Sequence, residues 1–108
     1  MSDNTKDANL SFDFDFLNSV IVGIGEVAQI TKIPTRQIRY WEDKGIISSL
    51  TEKEGKNRRY NYMNIKKMLL IKELLDEGYT LDASAEKVKK RMEMIENTLQ
   101  QLAKNQLP

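Results

Sequence analysis

The 108-residue chain contains no cysteine and no histidine. Their absence removes disulfides, thiolate nucleophiles, Cys/His zinc sites, serine–histidine relays and imidazole bases. A carboxylate-only enzyme stays compatible with the composition. Yet no acids are paired with a Gly-rich phosphate loop, so the expectation is a protein that is not an enzyme and carries no metal and no cofactor. Long apolar runs are missing too. None approaches the roughly 18 residues that span a bilayer, so no membrane partner is expected. The stretch 1–15 is polar and acidic and lacks the basic-then-apolar layout of a secretion signal, which leaves the cytoplasm as the expected compartment. At 40% hydrophobic and 31% charged, the chain is neither collagen-like nor disordered in composition. Its length has room for one compact domain and little else.

The net charge of +1 conceals an uneven distribution. Residues 1–20 carry one Lys against four Asp, whereas residues 21–62 carry eight Lys/Arg against five acids. Residues 63–108 are nearly balanced, with eight basic residues against seven acidic. A basic face confined to the middle of the chain is compatible with a nucleic-acid partner, although charge alone supports that weakly.

Three regions are expected: a flexible acidic segment over 1–20, a winged helix-turn-helix domain over 21–80, and a dimerisation helix over 81–108. Within the first, Ser11-Phe-Asp-Phe-Asp-Phe16 alternates with the two-residue period of a strand edge, but six residues equally admit a helical turn or a tether. These Phe side chains either pack on the adjacent domain or serve self-association or partner docking. Ile24, Val27, Ala28 and Ile30 give a short amphipathic helix, interrupted at Lys32-Ile33-Pro34 because Pro34 disfavours helix at the residue before it. Pro34 and Thr35 suit the start of a second helix, and Gly45 suits its end. Two short helices about three residues apart form a helix-turn-helix candidate. Residues 46–60 then read as a hairpin wing, with Ile46-Ile47 on one side, Gly55 and Asn57 in the turn, and Arg58-Arg59-Tyr60 on the other. Asn61 caps a third helix with the apolar set Ile65, Met68, Leu69, Ile71, Leu74 and Leu75, which stops at Gly78. Thr80 caps the last helix. There, Ala85, Val88, Met92, Ile95, Leu99 and Leu102 step by three and four, a heptad seam. This stripe either packs back on the domain or pairs with a second copy. Its narrowness favours a homodimer.

On the second helix, Ile38 and Trp41 face inward together, which turns Arg36, Gln37, Tyr40 and Lys44 outward and leaves Arg39 near the border. In the major groove Arg can bond bidentately to guanine and Gln to adenine, while Tyr and Lys more often hold phosphates. By itself such a face is equally that of an ordinary solvated helix. The Arg58-Arg59 pair shifts the balance, since a basic wing beside a helix-turn-helix straddles one groove. Adjacent strand residues point to opposite faces, so one of the two arginines can reach DNA while the other supports it, and spacing does not choose between them.

The blocks Ile24-Gly-Glu-Val-Ala28, Thr35-Arg-Gln-Ile-Arg-Tyr-Trp-Glu42, Gly45-Ile-Ile47, Asn57-Arg-Arg-Tyr60 and Leu75-Asp-Glu-Gly-Tyr-Thr-Leu81 occur in this order. Together they resemble the mercury-resistance regulator (MerR) family over about residues 22–84. The resemblance implies a mainly α, winged helix-turn-helix protein with a small β-hairpin wing, followed by a C-terminal coiled-coil helix through which two copies pair. It implies a transcriptional regulator that binds a pseudo-palindromic promoter site on double-stranded DNA. Position by position, it places DNA contacts on Thr35, Arg36, Gln37, Arg39, Tyr40, Arg58 and Arg59, with Tyr62 and Lys66 on the backbone. Lys44 joins them from its place on the outward face. The dimer seam falls on Val88, Met92, Ile95, Leu99 and Leu102. Two departures from the family matter: no cysteine is available for metal or redox sensing, and no large C-terminal ligand domain is expected. The chain is also similar to the short branch typified by the glutamine-synthetase repressor. That likeness implies a regulatory protein partner and dimer contacts from N-terminal residues, so 12–17 competes with the seam. The family's usual break before the dimer helix is hard to see over 83–90, and a nearly continuous helix or a short kink is expected. The alternatives are an excisionase-like architectural DNA-binding protein and an adaptor that binds protein partners through its helix and its Phe-rich segment.

Overall fold

The computed structural model describes residues 15–50 and 58–106. Six elements follow a short helical stretch over 15–19: β1 (Val22–Gly23), α1 (Ile24–Thr31), α2 (Thr35–Asp43), β2 (Arg59–Tyr60), α3 (Tyr62–Asp76) and α4 (Leu81–Gln106). The mainly helical fold class read from the sequence is the one adopted. No helix among the described residues is long and apolar enough to cross a membrane.

The helix-turn-helix forms where the punctuation predicts, with three residues between α1 and α2. Lys32 ends α1 in the left-handed region at φ 63°, donating its N–H to the Ala28 carbonyl at 2.9 Å. Thr31 stabilises the turn: its hydroxyl donates to the Val27 carbonyl (2.8 Å) and accepts from the Ile33 N–H (3.2 Å). The Thr31 carbonyl, exposed by the end of the helix, accepts from Lys72 Nζ on α3 at 3.0 Å. One apolar assignment changes. Ile30 is 63% exposed, because Ile24, Val27, Ala28 and Thr31 form the inward face at 0, +3, +4 and +7, and residue 30 lies off it. Pro34 takes the N-cap position of α2 and Thr35 its first helical position, one place past the cap, so Thr35 does not cap the helix.

The two glycine stops, after α2 and after α3, are Schellman endings. After α2, Gly45 (φ 79°) donates to the Glu42 carbonyl and Ile46 to that of Trp41, both at 2.9 Å. After α3, Gly78 (φ 102°) donates to Leu75 and Tyr79 to Leu74. Asn61 caps α3 as expected, accepting from the Asn64 N–H at 3.1 Å. Asn64 passes the constraint on, since its Oδ1 accepts from the Ser48 N–H and so ties the segment after α2 to α3. Asn18 accepts from the Met63 N–H at 3.2 Å, which seats the 15–19 stretch at the same helix start. That stretch is helical where the Phe/Asp alternation also admitted a strand; Phe12 and Phe14 lie outside the described residues.

The two strands pair differently from the expected hairpin. β2 runs antiparallel to β1, with Val22 opposite Tyr60 and Gly23 opposite Arg59. The segment after Ile47 contributes one described bond to the other edge, from the Leu50 N–H to the Arg59 carbonyl at 2.8 Å. The turn with Gly55 and Asn57 lies outside the described residues. β2 thereby links the segment that opens α1 to the segment that follows α2.

One core gathers residues from all parts of this frame: Val27, Ile33, Ile38, Trp41, Ile47, Tyr60, Met68, Leu70, Ile71, Val88 and Met92. Leu70, absent from the apolar set read for the third helix, is buried; Leu69 is only half-buried. α4 is unbroken over 26 residues, about 39 Å at 1.5 Å per residue. It packs first on α3. The seam assigned to a dimer therefore needs correction in its first part, because Val88 and Met92 are 2% and 3% exposed within the single chain. They are already occupied by the core. Ile95, Leu99 and Leu102, farther along, are half-buried, and Met94 beside them is 70% exposed.

Candidate nucleic-acid interface

α2 divides as its periodicity demands. Ile38 and Trp41 are buried, anchoring the helix, while Arg36, Gln37, Arg39, Tyr40 and Lys44 are exposed and Thr35 is half-buried. Arg39, read as a border residue, stands outside. At about 100° per residue, Arg36, Gln37, Arg39, Tyr40 and Lys44 fall within an arc of about 160° facing away from the two anchors, so several of them can meet one groove. Among the described residues, no ion pair engages Arg36 or Arg39. Lys44 is held differently: its Nζ lies 3.7 Å from Asp82 at the start of α4 and 5.6 Å from the centroid of the Tyr40 ring.

The two arginines of the wing strand part company. Tyr60 is fully buried, so the residue two before it shares its inward side and the residue between them points away. Arg59 is accordingly exposed. Arg58 has a side chain only 22% exposed, with Nη1 at 3.6 Å from Glu42 Oε1 and 3.8 Å from Asp43 Oδ1. The strand alternation was available in the sequence; what chose between the arginines was the burial of Tyr60. Tyr62 and Lys66, on the first turns of α3, are half-buried.

Glu42 is the residue the sequence reading passed over, quoted there only as the end of a motif. It sits four residues after Ile38, on the edge of the buried face, and its carboxylate gathers three segments. Oε1 accepts from the Tyr60 hydroxyl at 2.6 Å and Oε2 from the Ser49 hydroxyl at 2.7 Å, beside the Arg58 guanidinium. Burial pushes the Tyr60 phenol well above its ordinary range, reinforced by the Glu42 hydrogen bond and charge and opposed by Arg58. Tyr60 consequently stays protonated and acts toward Glu42 as a donor only. No local signal marks this cluster, because Glu42 and Arg58 are 16 residues apart in the chain and only the burial of Tyr60 turns Arg58 toward the carboxylate.

A buried-anchor helix with a polar outer face, preceded by a short helix and flanked by a strand bearing an outward Arg, defines a winged helix-turn-helix protein. Residues 23–91 match the family described as MerR HTH family regulatory protein, which is more than half of the chain. The chain belongs to that family, one of regulators and not of enzymes. Among its relatives, the HTH-type transcriptional regulator GlnR of Bacillus anthracis is 38% identical over 58 residues, covering 54% of this chain and 44% of that protein. The HTH-type transcriptional regulator TnrA of Bacillus subtilis is 24% identical over 85 residues, covering 79% and 76%. The HTH-type transcriptional regulator CueR of Escherichia coli O157:H7 is 28% identical over 67 residues, covering 62% and 50%. This chain thus spans less than half the length of the GlnR protein it matches. The crystal structure of a MerR-family transcriptional regulator from Bacillus cereus shares the fold at a TM-score of 0.60 and 17% identity, over 79% of this chain and 66% of that one.

Proposed function

We propose that this chain is a cytoplasmic transcriptional regulator that binds double-stranded DNA as a homodimer at a pseudo-palindromic promoter site. The observation that carries the reading is the division of α2: two buried anchors, with Arg36, Gln37, Arg39 and Tyr40 exposed on its outer side, while Arg59 is exposed on the wing strand. In this arrangement Arg36 and Gln37 read base edges from the first turn of α2, while Thr35, Arg39, Tyr40, Arg59, Tyr62 and Lys66 hold the backbone on either side. Membership of a family of HTH regulatory proteins supports the same reading. Two copies joined at the far part of α4, through Ile95, Leu99 and Leu102, would present two such faces, and the symmetry of the dimer would be mirrored in the site. Control by a protein partner suits a chain without cysteine or histidine for a metal or redox signal.

A mobility-shift experiment with the DNA upstream of the chain's own gene, set against random duplex at moderate salt, tests the proposal. A preferred complex with the upstream fragment is expected. Equal binding to both duplexes, or none, overturns it.

A further inference from the structure

We infer that Glu42 is a positioning residue that braces the wing strand against the reading helix, and that Arg58 serves this carboxylate instead of DNA. The inference rests on the DNA-binding reading above and assigns roles within the same site. Glu42 belongs to α2, Ser49 to the segment that follows, and Arg58 and Tyr60 to the strand; one carboxylate therefore fixes the relative placement of all three. Both members of the ion pair are largely withdrawn from water, with Glu42 at 21% and Arg58 at 22% side-chain exposure. Removing one member of such a pair leaves the other charge poorly compensated, so neither is free to leave for another partner at low cost. Arg58 Nη1 is buried and makes no hydrogen bond among the described residues, and two carboxylates, Glu42 and Asp43, flank it at 3.6 and 3.8 Å. Its charge is thus spent before any phosphate arrives. Swinging it outward would strip Glu42 of its only described cationic neighbour. Arg59, one residue on and facing the other way, carries no such obligation. Of the two adjacent arginines of the strand, Arg59 therefore supplies the phosphate contact, and the placement of that strand against α2 is set by Glu42.

The test measures specific and random-duplex affinity over a range of salt for the full chain and for Arg59→Met, Arg58→Met, Glu42→Gln and the Glu42→Gln/Arg58→Met double variant. Each phosphate contact contributes about 0.9 to the slope of log affinity on log salt. Arg59→Met is expected to lower the slope by about that amount per chain. Arg58→Met and Glu42→Gln are expected to keep the slope and to reduce the preference for the specific site by about tenfold, since misplaced contacts lose discrimination first. The double variant should be no worse than the poorer single variant, as residues acting through one another are not additive. A slope that falls for Arg58→Met as it does for Arg59→Met overturns the inference while leaving the DNA-binding reading intact. So does a Glu42→Gln protein that melts lower yet keeps its site preference. If a variant does not fold, side-chain NMR of the unaltered chain decides: on adding operator DNA the Arg59 guanidinium signals should shift and those of Arg58 should stay. A chain that binds no DNA at all overturns the proposed function itself.

Discussion

The two ends of α4 obey the same spacing and live in different surroundings. Near its start, Val88 and Met92 lie in the core against α3, within a region where loops, caps and strand are tied together by Asn64, Thr31 and Glu42. Toward its end, Ile95, Leu99 and Leu102 continue the three-and-four steps with no comparable cover, and Met94 stands in solvent. A heptad stripe states which face of a helix is apolar. It does not state what covers that face. Here a single stripe serves the interior of one chain in its first part and, on the reading proposed, a second chain in its last.

The largest effect should come from confusing the two halves deliberately. Met92→Ala removes a buried side chain from the core and should cost about 2–5 kcal/mol of folding stability, read as a lower denaturation midpoint at constant protein concentration. Leu99→Asp should leave the single chain folded, with its helical circular dichroism preserved, and shift sedimentation from dimer to monomer. If Leu99→Asp remains dimeric, the dimer contact lies elsewhere, and the exposed Phe16, Leu17, Val20 and Ile21 become the surface to alter next.

Much of this fold was legible because punctuation in the sequence is local chemistry. Gly45 and Gly78 end helices where only a left-handed residue continues the chain easily, and Asn61 and Thr80 start them by accepting from the Asn64 and Ala83 N–H groups. The uninterrupted last helix was likewise within reach, since no residue in its first turns breaks it. The partner of β2 was not. Val22-Gly23 is too short to show a strand period, and nothing local says that residues 22 and 60 meet. The outward face of α2 could be drawn from Ile38 and Trp41 alone. The wing could not: choosing between Arg58 and Arg59 requires knowing that Tyr60 is buried, which is a property of the assembled core.

Within the braced end, the next effect concerns base reading. Arg36→Ala or Gln37→Ala should each cost about 1–3 kcal/mol in discrimination at one position of the site while leaving the fold unchanged. Competition against single-base variants of the operator measures it. Uniform weakening across all sequences would instead assign these residues to the backbone.

Tyr60→Phe tests the brace by pH. The folded phenol is held above its ordinary value of 10.0, whereas the unfolded chain releases that proton near 10. The folded state therefore binds more protons above that pH, and the stability Tyr60 contributes is complete below about pH 10 and declines as pH rises beyond it. The Phe variant should be less stable by about 1 kcal/mol at neutral pH, the lower end of the range for an unmade bond because Ser49 and Arg58 still serve Glu42. Its stability should also fall less steeply than that of the unaltered chain between pH 10 and 11. Parallel declines would mean that Tyr60 ionises as readily in the folded protein as in the unfolded one.

The smallest effect lies where the two regions meet. Lys44 caps the end of α2, but its ammonium leans toward Asp82 on α4 and over Tyr40. At 3.7 Å, with Asp82 88% exposed, this contact is of the kind worth roughly 0–1 kcal/mol and is screened by salt, so Asp82→Asn should barely move the melting temperature. DNA affinity is the more sensitive readout. If Lys44 is kept from the phosphates by Asp82, Asp82→Asn should steepen the salt dependence of binding by up to about 0.9 per chain, and Lys44→Met should leave the slope where it is. If Lys44 already holds a phosphate, Lys44→Met flattens the slope and Asp82→Asn does not alter it. The first outcome would make the start of α4 a brake on the reading face; the second would return Lys44 to the contacts expected from its place on the helix.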